Sequence, residues 1–169
     1  MKKIVFVMAM FAVTATLFTS CKKDETTTTD TTPAATGIQG KWESSGTDVA
    51  PLLVTLFKLD SIYAEFNTNN TYTVKQWDNT KTQLATLSGT YTQTKAATGN
   101  FYTIKINQTS PAALSTEGIF EITDGVMKYE VVQTTPDIGA TPPTVAKGFG
   151  STNNGALGMM NVQTYRKVN

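Results

Sequence analysis

An all-β fold is predicted for this chain: an eight-stranded antiparallel up-and-down barrel with one short helix after the first strand. Three observations predict it. Apolar and polar residues alternate with a period of two through eight short runs, the pattern of a sheet with one packed face and one wet face. The runs are separated by short Asn-, Asp- and Gly-containing turns, which join neighbouring antiparallel strands. One segment only, 49–59, carries leucines at helical spacing. Eight strands suffice to close on themselves around packed side chains or one small ligand.

The elements follow in order. Met1-Lys2-Lys3 is a positively charged start, and residues 4–18 are a fifteen-residue apolar run. This is the shape of a secretory signal over residues 1–20, too short for the about 20 apolar residues that span a bilayer. Residues 24–36 read DETTTTDTTPAAT, seven threonines in thirteen residues with no large apolar side chain. Such a segment buries too little surface to offset the entropy of ordering it, so residues 21–36 are expected to be a disordered tether and 37–169 the folded domain. Strands are predicted over 40–45, 61–67, 71–78, 83–93, 100–109, 116–123, 126–134 and 160–168. Ile62, Ala64 and Phe66 share one face of the second, and Tyr72 and Val74 one face of the third. Leu87, Gly89 and Tyr91 form a row in the fourth, and Tyr102, Ile104 and Ile106 in the fifth. Phe120 and Ile122 follow, then Met127, Tyr129 and Val131, with Lys128 and Glu130 expected outside. Trp77 has the opposite parity to Tyr72 and Val74, which puts it on the outside or at a rim.

Two segments break the pattern. In 49–59, Leu52, Leu56 and Leu59 with Leu53 and Phe57 suggest a short amphipathic helix, with a continuation of the sheet as the alternative. Thr47 or Asp48 would cap it, and Pro51 is tolerable only in its first turn. Residues 135–159 are rich in Gly, Pro and Asn. A connection of that length is expected to be a functional lid or disordered, although Ile138, Val145, Phe149, Leu157 and Met159 argue that parts of it pack.

Chemistry-bearing motifs are few. The 14 basic and 13 acidic residues leave the chain near neutral without a basic stripe, which argues against nucleic acid as a partner. No histidine is present, which removes the commonest general base and metal ligand. The acids are scattered, and there is no phosphate loop, calcium loop or nucleophile elbow. The expectation is a non-enzyme without cofactor or metal. With a single cysteine, Cys21, no internal disulfide can form.

Cys21 follows the apolar run directly, after Leu17-Phe18-Thr19-Ser20, and this arrangement resembles the lipobox of bacterial lipoproteins. The resemblance implies cleavage before Cys21, a diacylglycerol thioether on its sulfur and a palmitate-type acyl chain on its new amine. Lys23-Asp24-Glu25 resembles the surface-export signal of Bacteroidota lipoproteins, which implies an outer-membrane anchor with the domain facing the cell exterior. Thr31, in Asp30-Thr31-Thr32, and Ser61, in Asp60-Ser61-Ile62, match the O-glycosylation acceptor of the same bacteria. Gly40-Lys41-Trp42 on the first strand and Arg166 near the end of the last resemble the Gly-x-Trp and basic residue of lipocalins. That resemblance implies an indole closing the barrel floor with Arg166 across its face; Trp42 otherwise reads as plain core and Arg166 as a solvated charge. The spacing of Phe66 and Tyr72 is similar to lipocalin-like lipoproteins of Bacteroidota.

Two functions follow. If Phe66, Tyr72, Tyr91, Tyr102, Phe120 and Tyr129 line a pocket, the barrel binds a small apolar or amphipathic ligand, as the lipocalin resemblance implies. If they fill it, the barrel is an interaction module that presents Trp77 and the 135–159 loop to a protein or polysaccharide partner.

Overall fold

Period-two alternation and short turns translate into a closed sheet. The computed structural model describes residues 37–169. Within them β1 (Gly40–Ser45) leads through a 3-10 turn (Gly46–Asp48) into α1 (Pro51–Phe57). There follow β2 (Leu59–Phe66), β3 (Thr71–Asp78), β4 (Gln83–Lys95), β5 (Phe101–Ser110), β6 (Leu114–Thr123) and β7 (Val126–Thr135). Two further 3-10 turns (Thr152–Gly155 and Gly158–Asn161) precede β8 (Gln163–Val168). Each strand pairs with the next, and β8 returns antiparallel to β1 to close an eight-stranded barrel. The predicted all-β, up-and-down barrel with one helix after the first strand is therefore the observed architecture. Each strand finds both neighbours inside this span, so residues 37–169 carry what the barrel needs to fold by itself.

The register stacks the predicted apolar rows. Trp42 faces Ala64, Ala64 faces Val74 and Val74 faces Leu87. On the other side Tyr102, Phe120 and Tyr129 stand in line and end on Gln163. Trp42, Phe66, Tyr72, Tyr91, Ile104, Phe120, Met127 and Tyr165 are among the buried residues of the one core. Fully burying a side chain of this size stabilises by about 1.5–3 kcal/mol. At the β6–β7 hairpin Asp124 and Gly125 both adopt positive φ, 50° and 75°, the geometry that makes Asp-Gly the favoured two-residue turn.

Departures from expectation lie where the chain leaves the hairpins. The last strand begins at Gln163, because 158–161 wind into a 3-10 turn, and Leu59 belongs to β2 instead of to the helix. Neither Thr47 nor Asp48 caps α1. Its first turn starts at Ala50, with Pro51 at a position where no N–H is missed. The helix is not amphipathic in the packed sense: none of its seven residues is buried. Leu53 packs against the core, but Leu56 and Phe57 are 61% and 59% exposed.

Residues 136–162 form an ordered strap laid on the outside of the barrel. Asn153 and Thr141 tie its two limbs, Asn153 N–H donating to Thr141 O at 2.9 Å and Thr141 N–H to Asn153 Oδ1 at 2.7 Å. Phe149 packs on Phe101, ring centres 5.1 Å apart. Val145 and Leu157 are half-buried, whereas Ile138 and Met159 stay exposed. The strap also corrects the placement of Glu130. Parity turns its side chain outward, as expected, yet it is 0% exposed. Its carboxylate accepts from Gly150 N–H at 2.7 Å, Thr152 N–H at 3.1 Å and the Thr152 hydroxyl at 2.5 Å. A buried carboxylate needs such donors to offset its lost hydration. Glu130 is the clasp of the strap.

Candidate functional site

The barrel has two ends. One carries the start of β1 and the tight turns after β2, β4 and β6. The other carries α1 and the turns after β3 and β5, and the strap leaves and returns there but runs along the barrel side as far as Phe101 at the start of β5. At the first end Trp42 lies flat in the core, 0% exposed, and its Nε1–H donates to Ile38 O at 2.7 Å. Gly40 adopts φ 123°, a backbone region that favours glycine, and a Cβ there would come 3.4 Å from Lys167 Cε. The cation over the indole is Lys167, with Nζ 5.7 Å from the ring centre. Arg166 does not take that position. Trp42 pairs across the ladder with Lys167, so the preceding residue points to the opposite face. There Arg166 Nε donates to Asp48 Oδ2 at 2.8 Å, in an exposed ion pair.

The six aromatic residues proposed as pocket-lining are all turned to the interior, and they occupy it with one another. Phe66 meets Tyr91 edge-on at 5.2 Å and stacks on Tyr72 at 6.0 Å. Tyr102 stacks on Phe120 at 4.8 Å, and Tyr129 meets Tyr165 edge-on at 5.9 Å. The Tyr91 hydroxyl donates to Asn67 O at 2.8 Å. Burial pushes Tyr72 up to about 12 and raises Tyr165. Burial also holds Tyr129 well above the ordinary phenol range, with Tyr165 and Tyr72 adding to it. These phenols stay neutral. Near them the side chains of Ser44 (Oγ) and Gln163 (Nε2) are buried without a hydrogen-bond partner, although Gln163 Oε1 accepts from Ala50 N–H at 2.9 Å. A cavity of about 100 Å³ reaches this polar group beneath α1, lined by Ala50, Leu53, Tyr129, Val131, Asn161, Gln163 and Tyr165. Small-molecule sites typically occupy about 300–1,000 Å³.

A concavity of about 260 Å³ opens at the first end over Trp42, Tyr102, Ile122 and Lys167, and two larger ones lie on the outer face. A groove of about 690 Å³ runs between strap residues 141–146 and the threonine-rich outer face of β4 and β5. A slot of about 400 Å³ sits on the outer face of β1–β3, at the α1 end, between Tyr63 and Trp77. Trp77 is half-buried there, on the outward parity read from its position. Ser61 is half-buried at the floor of the slot, in ladder with Ser45 and Trp77. At the same end Leu56 and Phe57 of α1, which packs against the 158–161 turn, are exposed, as are Met159 and Met160 of that turn. Cys21, Lys23, Asp24, Glu25 and Thr31 lie outside the described residues.

Several residues that matter had no signal as isolated letters. Lys167, Tyr165 and Gln163 follow only once the last strand is in register with Trp42 and Tyr129. Glu130 follows only from contact with a strap twenty residues away. Among the described residues no group of His, Cys, Asp or Glu is placed to hold a metal ion. In comparisons with known proteins, the chain matches no family model, no curated protein and no solved structure.

Proposed function

We propose that this protein is a non-catalytic interaction module, lipid-anchored at Cys21 in a bacterial outer membrane and facing the cell exterior. Its filled barrel is a rigid carrier, and its outer surface takes a protein or glycan partner. The observation that carries this reading is the interior. Three ring clusters occupy it, while concavities of about 400 and 690 Å³ open on the outside. The α1 end, where the slot and the exposed apolar side chains gather, is opposite the end where β1 begins.

A second reading keeps the interior as a site for a small amphipathic ligand. It rests on the unpartnered Gln163 Nε2 in the cavity beneath α1, a helix with no buried residue, and requires α1 to lift. Titration with cis-parinaric acid separates the two. The module reading expects no saturable fluorescence gain, and a stoichiometric gain would overturn it. The anchor has its own test in producing cells fed an alkyne fatty acid. Label should enter the wild-type chain and be absent from Cys21→Ser, and protease added to intact cells should remove the domain. Unlabelled wild type or a protected domain would contradict the anchor or its orientation.

A further inference from the structure

The slot between Tyr63 and Trp77 has a chemistry of its own. Its walls are two aromatic side chains on the solvent side of the sheet, where they serve no interior packing. Its floor is made by the small residues Ser45 and Ser61, and Glu43 and Lys81 stand at its margins. Lys81 is committed to an ion pair with Asp60. The Glu43 carboxylate, the Ser45 and Ser61 hydroxyls and the Trp77 indole N–H make no hydrogen bond to another described residue. The slot thus offers aromatic faces together with free donors and acceptors, at a volume of about 400 Å³ that falls in the small-molecule range.

Ligand classes can be sorted against that set. An anion is disfavoured in the slot itself, because Lys81, the one cation among its lining residues, is already paired and Glu43 adds negative charge; Lys75 stands opposite Tyr63 but outside the lining. A purely apolar ligand would leave the carboxylate and hydroxyls desolvated without partners, which is costly. An extended peptide adding to the sheet needs an unpaired strand edge, and this barrel is closed. A cation would use the aromatic faces and the carboxylate but leave the serine hydroxyls unused, whereas a neutral polyhydroxylated ring uses all of them. Its C–H face lies on an indole or phenol, and its hydroxyls donate to a carboxylate and exchange hydrogen bonds with serine hydroxyls.

We propose that the Tyr63–Trp77 slot is a binding site for a neutral saccharide, with Trp77 as the stacking platform and Glu43 as the principal hydroxyl acceptor. This rests on the reading of the barrel as a filled, outward-facing module. It narrows that reading from a partner of either kind to a glycan at one place.

The test uses the barrel, residues 37–169, against neutral gluco-, manno-, xylo- and N-acetylgluco-oligosaccharides of up to six sugars, with a sulfated heparin oligosaccharide as the anionic control. Binding is read by tryptophan fluorescence and by calorimetry. At least one neutral probe should bind and the sulfated one should not. Trp77→Ala should weaken binding by more than about tenfold, the scale of an aromatic anchor, and Trp77→Phe should restore most of it. Glu43→Gln should weaken it by a smaller factor. Trp77 faces outward, so the Trp77→Ala melting curve serves as the check that the fold is kept. If no neutral probe binds, or if binding survives Trp77→Ala in a folded protein, the saccharide site is overturned. Either result leaves the filled-module reading standing, because that reading fails on occupancy of the interior, as by cis-parinaric acid, and not on the outer slot.

Discussion

The two ends of the barrel are built by different means, and the difference separates what holds the fold from what it offers. At the end where β1 begins, every connection has at most five residues, and Trp42, hydrogen-bonded to Ile38 and with Lys167 over its ring, forms the floor beneath a concavity of about 260 Å³. At the α1 end two of the connections, 46–58 and 136–162, are long. A helix with no buried residue and a slot walled by two aromatics share that end, and a strap clasped by one carboxylate leaves and returns there. Local turn chemistry makes the connections of the first end, and the β1–β8 register brings Lys167 onto Trp42. Contacts between residues far apart in sequence build the second, and binding surfaces commonly ride on such irregular segments held by a rigid scaffold.

That comparison can be broken most directly at the Trp42 end. Trp42→Ala removes the largest fully buried side chain and should cost about 3–5 kcal/mol of global stability by urea unfolding; a loss below about 1 kcal/mol would mean that the floor is not sealed by the indole. In the strap Glu130→Ala leaves the Gly150 and Thr152 donors without their acceptor. A cost of about 1–3 kcal/mol is expected, seen as faster amide exchange at these two residues while β1–β4 keep their protection. Equal acceleration throughout would show that the strap is part of the core.

Alkaline pH gives a third contrast, set by the buried phenols. Tyr72 is raised from 10.0 to about 12 in the folded chain, and Tyr129 and Tyr165 are raised as well. Above about pH 10 the unfolded chain loses phenolic protons that the folded chain still holds, so stability should fall as pH rises through that window. Spectrophotometric titration should show these phenols ionising late, together with unfolding, and Tyr72→Phe should make the decline shallower. The smallest effects separate Lys167 from Arg166. Lys167→Ala should cost about 0.5–1 kcal/mol through the lost contact with Trp42. Arg166→Ala loses an exposed ion pair with Asp48 worth about 0.2–1 kcal/mol. Only the Lys167 change should shift Trp42 emission, and a shift with Arg166→Ala instead would restore the arginine to the floor.

The same contrast explains how much was legible in the sequence. The strands, their order and the inward rows could be read because alternation and turn residues act locally: Ile62, Ala64 and Phe66 face inward wherever the strand lies. Asp124-Gly125 declares its turn by itself. Arg166 was misplaced by one residue because the partner of Trp42 depends on the β1–β8 register, which joins the two ends of the domain. Glu130 looked like an ordinary outward acid because nothing near it announces a strap. Helical spacing in α1 was genuine, but spacing shows which residues share a face and not whether anything covers it. Trp77 was placed outward by parity alone; the slot beside it needed Tyr63, Ser45 and Ser61 from two other strands.

The central claim is that the barrel interior is complete with its own side chains and the binding surface lies outside. Native mass spectrometry of residues 37–169, purified without denaturation from cells that produce them, tests it most directly. The account predicts the mass of the bare polypeptide with no retained small molecule. A stoichiometric apolar or amphipathic adduct, released only on unfolding, would contradict it.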